Sequence, residues 1–407
     1  MTRPLRLPTL AFVAAITAMA GSAGLQAAVA AGSGEGPATP TASGNWSQFH
    51  EGVTHHGFQA SESVISVASA PTLELKWKHQ TGDRVQSSPA VVGGILYVGS
   101  WDGYLYALDA SSGALKWKYK TGSMITTSGP AVVSGVVYVG AENGTVYAVN
   151  ASNGSLKWKR SIGGSIRSSP AVSGGTLYIG NMVKAIPTGM NGYVYALNAN
   201  TGGVKWVSDK TWAVRTSPAV ADGKVFFGSD ASKVFALNAT TGAQIWAHLV
   251  LGMVRSSPAV GNGLVYIGDD GGQLYALDID NGAVTWKTGV LHVATEIKAT
   301  PAIAYNKVYI DTGERLPMIS HVYAFDAATG RQKWVTQMFD WTSVSPSIAN
   351  GVLFTSPSRY VEAYDAQTGE HLWEDRMIGD SDASPAVSNG IVYYASNDGA
   401  VYAFSPS

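Results

Sequence analysis

Arg167, Arg215, Arg255 and Lys298 share a position. Each stands three residues before a proline (Pro170, Pro218, Pro258, Pro301) in a recurring Ser/Thr-Pro-Ala step. Elsewhere the same position holds Gln86, Thr127, Ser343 and Asp382. The repeated element therefore does not itself require a cation. Guanidinium groups are suited to bidentate recognition of carboxylate or phosphate. Like charges held close together are unfavourable without a counter-charge. The four cations must therefore reach water, pair with carboxylates such as Glu296, Asp380 or Asp382, or bind an anion. Trp101, Trp212, Phe339 and Trp341 fall at connections on the same side, outside the repeat, and Arg84 adds a further charge there. Arg167, Arg215, Arg255 and Lys298 with Trp212 and Trp341 are the candidate ligand-binding set, suited to a planar or sugar-like anion.

Other chemistry is thinner. His50, His55 and His56 cluster near the start of the chain and could bind a metal, although hydrogen-bonding roles suit a lead-in segment better. Asp269-Asp270-Gly-Gly lacks the later ligands of a calcium loop and reads as a turn. No Gly-x-Ser-x-Gly elbow, HExxH or P-loop is present. No catalytic residue is assigned.

The elements that carry these residues come from a repeat of about 40 residues, stretched to about 48 in two copies. Its fullest copy, Ser87 to Lys118, reads SSPAVVGGILYVGSWDGYLYALDASSGALKWK. The proline step recurs eight times, at the four prolines named above and at Pro89, Pro130, Pro346 and Pro385. One tryptophan position accounts for eight of the twelve tryptophans, from Trp77 to Trp373. Each copy reads as four short strands, since stretches such as Tyr104–Asp109 alternate at period 2. Asp102-Gly103, Asn143-Gly144, Asp270-Gly271 and Asp398-Gly399 suggest primed hairpin turns between strands two and three. Trp77 lies on a fourth-type strand with no earlier strands of its own, while the last copy, Ser384 to Phe404, has three strands and no tryptophan. Together they complete one blade and close a ring. The expected fold is all-β, an eight-bladed propeller over residues 45–407. Loop-like insertions at Asn181 to Asn191 and Asp311 to Ser320, and Pro357 to Tyr360, break the repeat where function tends to be added.

The pattern (S/T)-P-A-V, then Y-V-G, then Y-A-L-(D/N)-x-x-x-G-x-x-x-W resembles the PQQ-type repeat of the quinoprotein alcohol dehydrogenase-like superfamily. Trp46-Ser-Gln-Phe49 with Gly57 is similar to the segment that commonly precedes its first blade. The superfamily includes dehydrogenases and non-enzymatic propellers of the outer-membrane assembly type. The resemblance implies that ligands lie at the top of the central channel. For a dehydrogenase it also implies adjacent cysteines beside PQQ, and a carboxylate and an Asn on calcium with an Asp base nearby. The chain has no cysteine, and residues 181–198 hold no carboxylate. Asn181 could be a remnant of the Asn, with Glu296 and Asp311 as unmatched carboxylates. PQQ with calcium is therefore not the expected cofactor, and no cofactor is assigned. The expected function is non-catalytic binding or scaffolding for an envelope or extracellular protein, or for an anionic small molecule or glycan. The alternative is a small PQQ-dependent dehydrogenase oxidising alcohols or sugars.

Charged residues make up only 14% of the 407 residues, with a net charge of -1 and no basic run, which argues against nucleic acid. Arg3 and Arg6, an apolar run from Leu10 to Ala20 and Ala28-Val29-Ala30 read as a secretory signal peptide over residues 1–30. The run is short for a membrane anchor. Without cysteine a lipoprotein is excluded, so a secreted or periplasmic location is expected. Residues 31–44 read as a flexible lead-in.

Overall fold

The computed structural model describes residues 44–407 apart from Ile186, Thr188, Val290, residues 292–294, Leu316, Pro317 and Phe339. Of Glu314, Arg315 and Met318 it describes the backbone. The signal peptide, nearly all of the lead-in, and Phe339 lie outside the described residues.

Eight antiparallel sheets follow the repeat, each with a four-stranded core. Blade 1 has strands Ala90–Val92, Ile95–Gly99, Tyr104–Asp109 and Leu115–Lys120. Blades 2 to 7 repeat this order. Blade 8 takes Ala386–Ser388, Ile391–Ala395 and Ala400–Pro406 from the end of the chain, and its outer strand, Leu73–Gln80, from the beginning. Trp77 is registered antiparallel against Ala403, so the ring closes as the incomplete first and last copies require. Among the described residues, the helical content is one short 3₁₀ turn, Ala70–Thr72.

The tryptophan explains why the blades repeat. Each outer strand bulges just before it, and its indole lies against the glycine of the next blade's three-to-four turn. A Cβ on Gly113 would come within 2.6 Å of the Trp77 ring. That glycine sits at φ +72, so a side chain would be excluded by both strain and space. Trp77 Nε1 donates to the Ala110 carbonyl at 3.0 Å, and Tyr393 Oη donates to the same oxygen at 3.1 Å. The indoles of Trp117, Trp158, Trp206, Trp246, Trp286 and Trp334 make the equivalent bond to the blade that follows. Trp373 faces blade 8, where the chain ends replace that turn, and it packs edge-on against Phe404 at 5.2 Å.

Two local expectations are corrected. The primed turns lie between strands one and two, where both central residues have positive φ, as in Asn262-Gly263. At Asp102-Gly103 only the glycine does. Asp102 instead accepts from the Tyr104 amide at 3.0 Å, which fits a longer loop with a glycine after a right-handed turn. The insertions in blades 3 and 6 are largely strand. They lengthen the middle hairpins to nine residues per arm, Thr176–Lys184 with Met190–Asn198 and Lys307–Arg315 with Met318–Asp326.

The segment before the ring forms a hub. It hydrogen-bonds in turn to the innermost strand of every blade. Trp46 exchanges backbone bonds with Val91, both at 2.7 Å, and Ser47 accepts from Val132. Gln48 bonds Val172 through its side-chain amide. Val53, Thr54, His56 and Gly57 carbonyls accept from Val220, Val260, Ile303 and Ile348. Gln59 Nε2 reaches the Val387 carbonyl at 3.3 Å. These contacts fall near the strand one-to-two hairpins, so the hub floors the channel at the end opposite the candidate site.

The three histidines belong to this hub. His50 lies between the carbonyls of His55 and Pro346, and His55 bonds the Pro258 carbonyl. Burial pulls His50 down to about 4 and His55 to about 3, so both are neutral near pH 7. Burial raises half-buried Glu51 on the same segment to about 8. The folded chain thus holds a Glu51 proton that the unfolded chain releases between pH 4.5 and about 8. That contribution is complete below pH 4.5 and is lost as pH rises toward 8. Relative to Glu51→Gln, the native protein should therefore lose about 1.4 kcal/mol of stability per pH unit across that window. Urea melts of both proteins at several pH values check this, and parallel profiles would contradict it.

Candidate functional site

The connections between strands four and one, and between two and three, share the top face. The cations stand on the first kind of connection; Glu142, Asp230 and Asp270 stand on the second, and Glu296 shares the connection of Lys298. Arg215 Nε lies 3.1 Å from Asp230 Oδ2. Arg255 reaches Asp230 Oδ1 at 3.8 Å and Asp270 Oδ2 at 3.2 Å. Lys298 Nζ pairs with Glu296 at 2.6 Å and lies 5.7 Å from the Trp341 ring centre. Arg167 forms a pair with Glu142 at 2.9 Å, and Thr126 and Ser165 also donate to that carboxylate. The four cations are thus interleaved with four anions, which removes the like-charge problem.

Of the partners suggested by sequence, Glu296 does pair with Lys298. Asp382 instead accepts from Gln86 at 2.7 Å and Asn397 at 2.9 Å, and Asp380 pairs with Arg359 at 3.3 Å. Glu142, Asp230 and Asp270 were not anticipated, although a signal was present: Asp230 follows Arg215 and Asp270 follows Arg255 by 15 residues, and Glu142 precedes Arg167 and Asp230 precedes Arg255 by 25. Burial raises the Asp270 carboxyl above its ordinary value against the pull of Arg255, with Glu296 adding repulsion. Oδ1 of Asp230 and Oδ1 of Asp270 are buried with no hydrogen-bond donor.

The long hairpins place the aromatics. In blade 3 the four-to-one connection adds a short strand, Thr211–Trp212, to Asn191 and Gly192. It leaves Trp212 56% exposed, above a cleft of ≈ 240 Å³ shared with Met190 and Lys210. Met190 Sδ lies 3.8 Å from Arg215 Nη2, linking Trp212 to the charged chain. In blade 6, Thr295–Glu296 pairs with Gly313 and Glu314 in the same way. Trp341 packs on Gly313, where a Cβ would come within 2.4 Å of the indole nitrogen. Leu249 at the end of the blade 4 outer strand, and Leu251 and Met253 on the connection to blade 5, are exposed, and Met253 Sδ lies 3.4 Å from Arg255 Nη2.

The residues present do not match the donor set that the PQQ resemblance implies. Asn181 is buried and fully used: its Nδ2 donates to the Ile162 and Gly163 carbonyls, and its Oδ1 accepts from the Tyr193 amide. Asp311 stands where five other blades have a glycine. It is 1% exposed, bonded to Thr355 of blade 7, and pushed well above the carboxylate range by burial. It therefore lies within a blade interface rather than in the channel. Among the described residues no group of three or more His, Cys, Asp or Glu could hold a metal ion, the hub histidines included.

These features define an eight-bladed propeller of PQQ-type repeats with a charged and aromatic top face. The family model described as outer membrane protein assembly factor BamB matches residues 61–187, 121–255, 249–342 and 319–407, and the chain belongs to that family. Over 83 residues it is 29% identical to a polyvinylalcohol dehydrogenase of a Pseudomonas species, a match covering 20% of this chain and only 13% of that one. The fold is similar to quinohemoprotein alcohol dehydrogenase from Comamonas testosteroni (TM-score 0.76, 17% identity, covering 90% of this chain and 81% of that chain). It is also similar to BamB from Moraxella catarrhalis (TM-score 0.66, 18% identity, 82% and 99%). At these identities the two structures establish the fold alone.

Asp230 is shared by Arg215 and Arg255, so the two arginines should not act independently. Arg215→Ala leaves Arg255 on the largely buried Asp230 carboxylate and should cost about 1 kcal/mol or less, whereas Arg255→Ala also removes the cation from Asp270 and should cost more. The double variant strands the charge and should cost about 2–3 kcal/mol more than the sum of the singles. Denaturant unfolding of the four proteins of this cycle measures the coupling. Simple additivity would show that the pairs are not made in solution.

Proposed function

We propose that the protein is exported and acts as a binding scaffold whose top face, over blades 3 to 6, docks another envelope or extracellular protein. The observation that carries this reading is the interleaving of Arg215, Asp230, Arg255 and Asp270 beside exposed Trp212, Leu251 and Met253. Aromatic residues, Met and Arg are enriched at protein interfaces, and clustered anchors contribute most of the binding energy. A polypeptide can supply apolar side chains for Trp212, Leu251 and Met253 as well as acidic groups for the arginines. Arg167, whose side chain is 46% exposed, remains the most accessible cation for a purely anionic ligand. The channel floor closed by Trp46 to Gln59 leaves the top as the open end. Membership in the BamB-described family agrees with this reading.

The alternative, PQQ-dependent oxidation of alcohols or sugars, is favoured by the fold likeness to the Comamonas enzyme. The two readings separate in one set of measurements on secreted protein. Its amino terminus should begin near Ala31, with intact Met1 on a membrane-bound product counting against export. Mixing with PQQ and calcium should give no protein-bound spectrum and no dye reduction with alcohols or sugars. A photo-crosslinker at Trp212 should give a discrete adduct that disappears when Arg215 and Arg255 are both alanine. The same probe at Ser111, on the opposite face, should give none. PQQ-dependent turnover, or adducts indifferent to position and to the arginines, would defeat the scaffold reading.

A further inference from the structure

A second depression lies on the same face, where blades 6, 7 and 8 meet. Its volume is ≈ 420 Å³, within the range of small-molecule sites, and its lining includes Trp341, Tyr360, Arg359, Asp380, Asp382 and Asn397. Sequence reading met several of these residues only as possible partners of the cations or as part of a broken loop.

The charges of the lining are mutually occupied. Asp380 Oδ1 accepts from Ser358 Oγ at 2.9 Å and pairs with Arg359 Nε at 3.3 Å. Asp382 Oδ2 accepts from Gln86 and Asn397. Arg376 lies 5.8 Å from the Tyr360 ring centre, as a stacked guanidinium does. An anion entering here would meet three carboxylates, Asp340 among them, and a cation would meet two guanidinium groups. What the surface offers is a second oxygen on each aspartate, further N–H groups on each arginine, and two aromatic rings. Acceptors and donors alternating around an aromatic face suit a ligand that is neutral and both donates and accepts at every carbon. Ring hydroxyls do this, while the C–H face of a pyranose packs on an indole or phenol.

We propose that this cleft is a binding subsite for a neutral glycan, with Trp341 as the stacking platform and Asp380 and Asp382 as hydroxyl acceptors. The subsite is separate from the docking surface on blades 3 to 6, so either can fail without the other. Such a subsite would let the propeller engage a polysaccharide while its other half holds a protein.

The test uses the full secreted chain with cellohexaose, xylohexaose, mannohexaose and chitohexaose, and with a heparin hexasaccharide as the anionic control, by calorimetry. At least one neutral sugar should bind with a dissociation constant between about 10 µM and 1 mM. Trp341→Ala and Asp380→Asn should each weaken that binding about tenfold or more, while Arg255→Ala leaves it unchanged. Asp380 is solvent-facing, so its variant tests the site even if Trp341→Ala disturbs the blade 6 hairpin. No binding of any neutral sugar, tighter binding of the heparin fragment, or binding indifferent to both substitutions would overturn the proposal.

Discussion

One backbone oxygen per blade governs this architecture. In blade 1 it is the Ala110 carbonyl, which accepts from both an indole N–H and a phenol O–H of the preceding blade. Ala151, Ala199, Ala239, Ala327 and Ala366 accept the same pair of donors. A buried carbonyl left without donors is costly, and so is a buried indole N–H. The interface therefore has one favoured register, and each blade sets the angle of the next. The glycine beneath the indole makes that approach possible. At the blade 7 to blade 8 contact, where the two chain ends meet, Phe404 takes over the packing against Trp373.

Rigid, repeated interfaces leave function to positions where the repeat is broken. The cations on blades 3 to 6, the lengthened hairpins and the cleft between blades 6 and 8 are all departures from a blade that does not need them. Their placement still depends on the repeat. Trp212 and Glu296 are held because the connections carrying them become edge strands on the long hairpins. The hub adds a second tie. By bonding to all eight innermost strands, Trp46 to Gln59 fixes the channel wall from below.

How far the sequence could be read follows from periodicity. Blade number, ring closure and the tryptophan interfaces were legible, because one residue position recurs eight times and the two chain ends are complementary. The equivalence of Arg167, Arg215, Arg255 and Lys298 was legible for the same reason. Their carboxylate partners went unread although Asp230 and Asp270 stand 15 residues after Arg215 and Arg255, because that offset recurs in only two blades and pairing also depends on how turns meet in space. The hub was not legible either. Its residues bond through backbone and through side chains as unlike as Gln48 and His55, with no pattern to detect. The insertions looked like loops because a hairpin that outgrows its blade loses the repeat's turn signals. Asp311 stood as an unmatched carboxylate, since nothing local marks it as facing the next blade.

The account depends on the ring behaving as one body although its last blade is built from both ends of the chain. Amide hydrogen exchange on the native protein tests this most directly. Amides of Leu73–Gln80 that bond to Ala400–Pro406 should exchange only through global opening, as slowly as those of the continuous outer strand Leu115–Lys120. Rapid exchange confined to the seam strand, with the other blades protected, would show that the closure is loose and contradict the account.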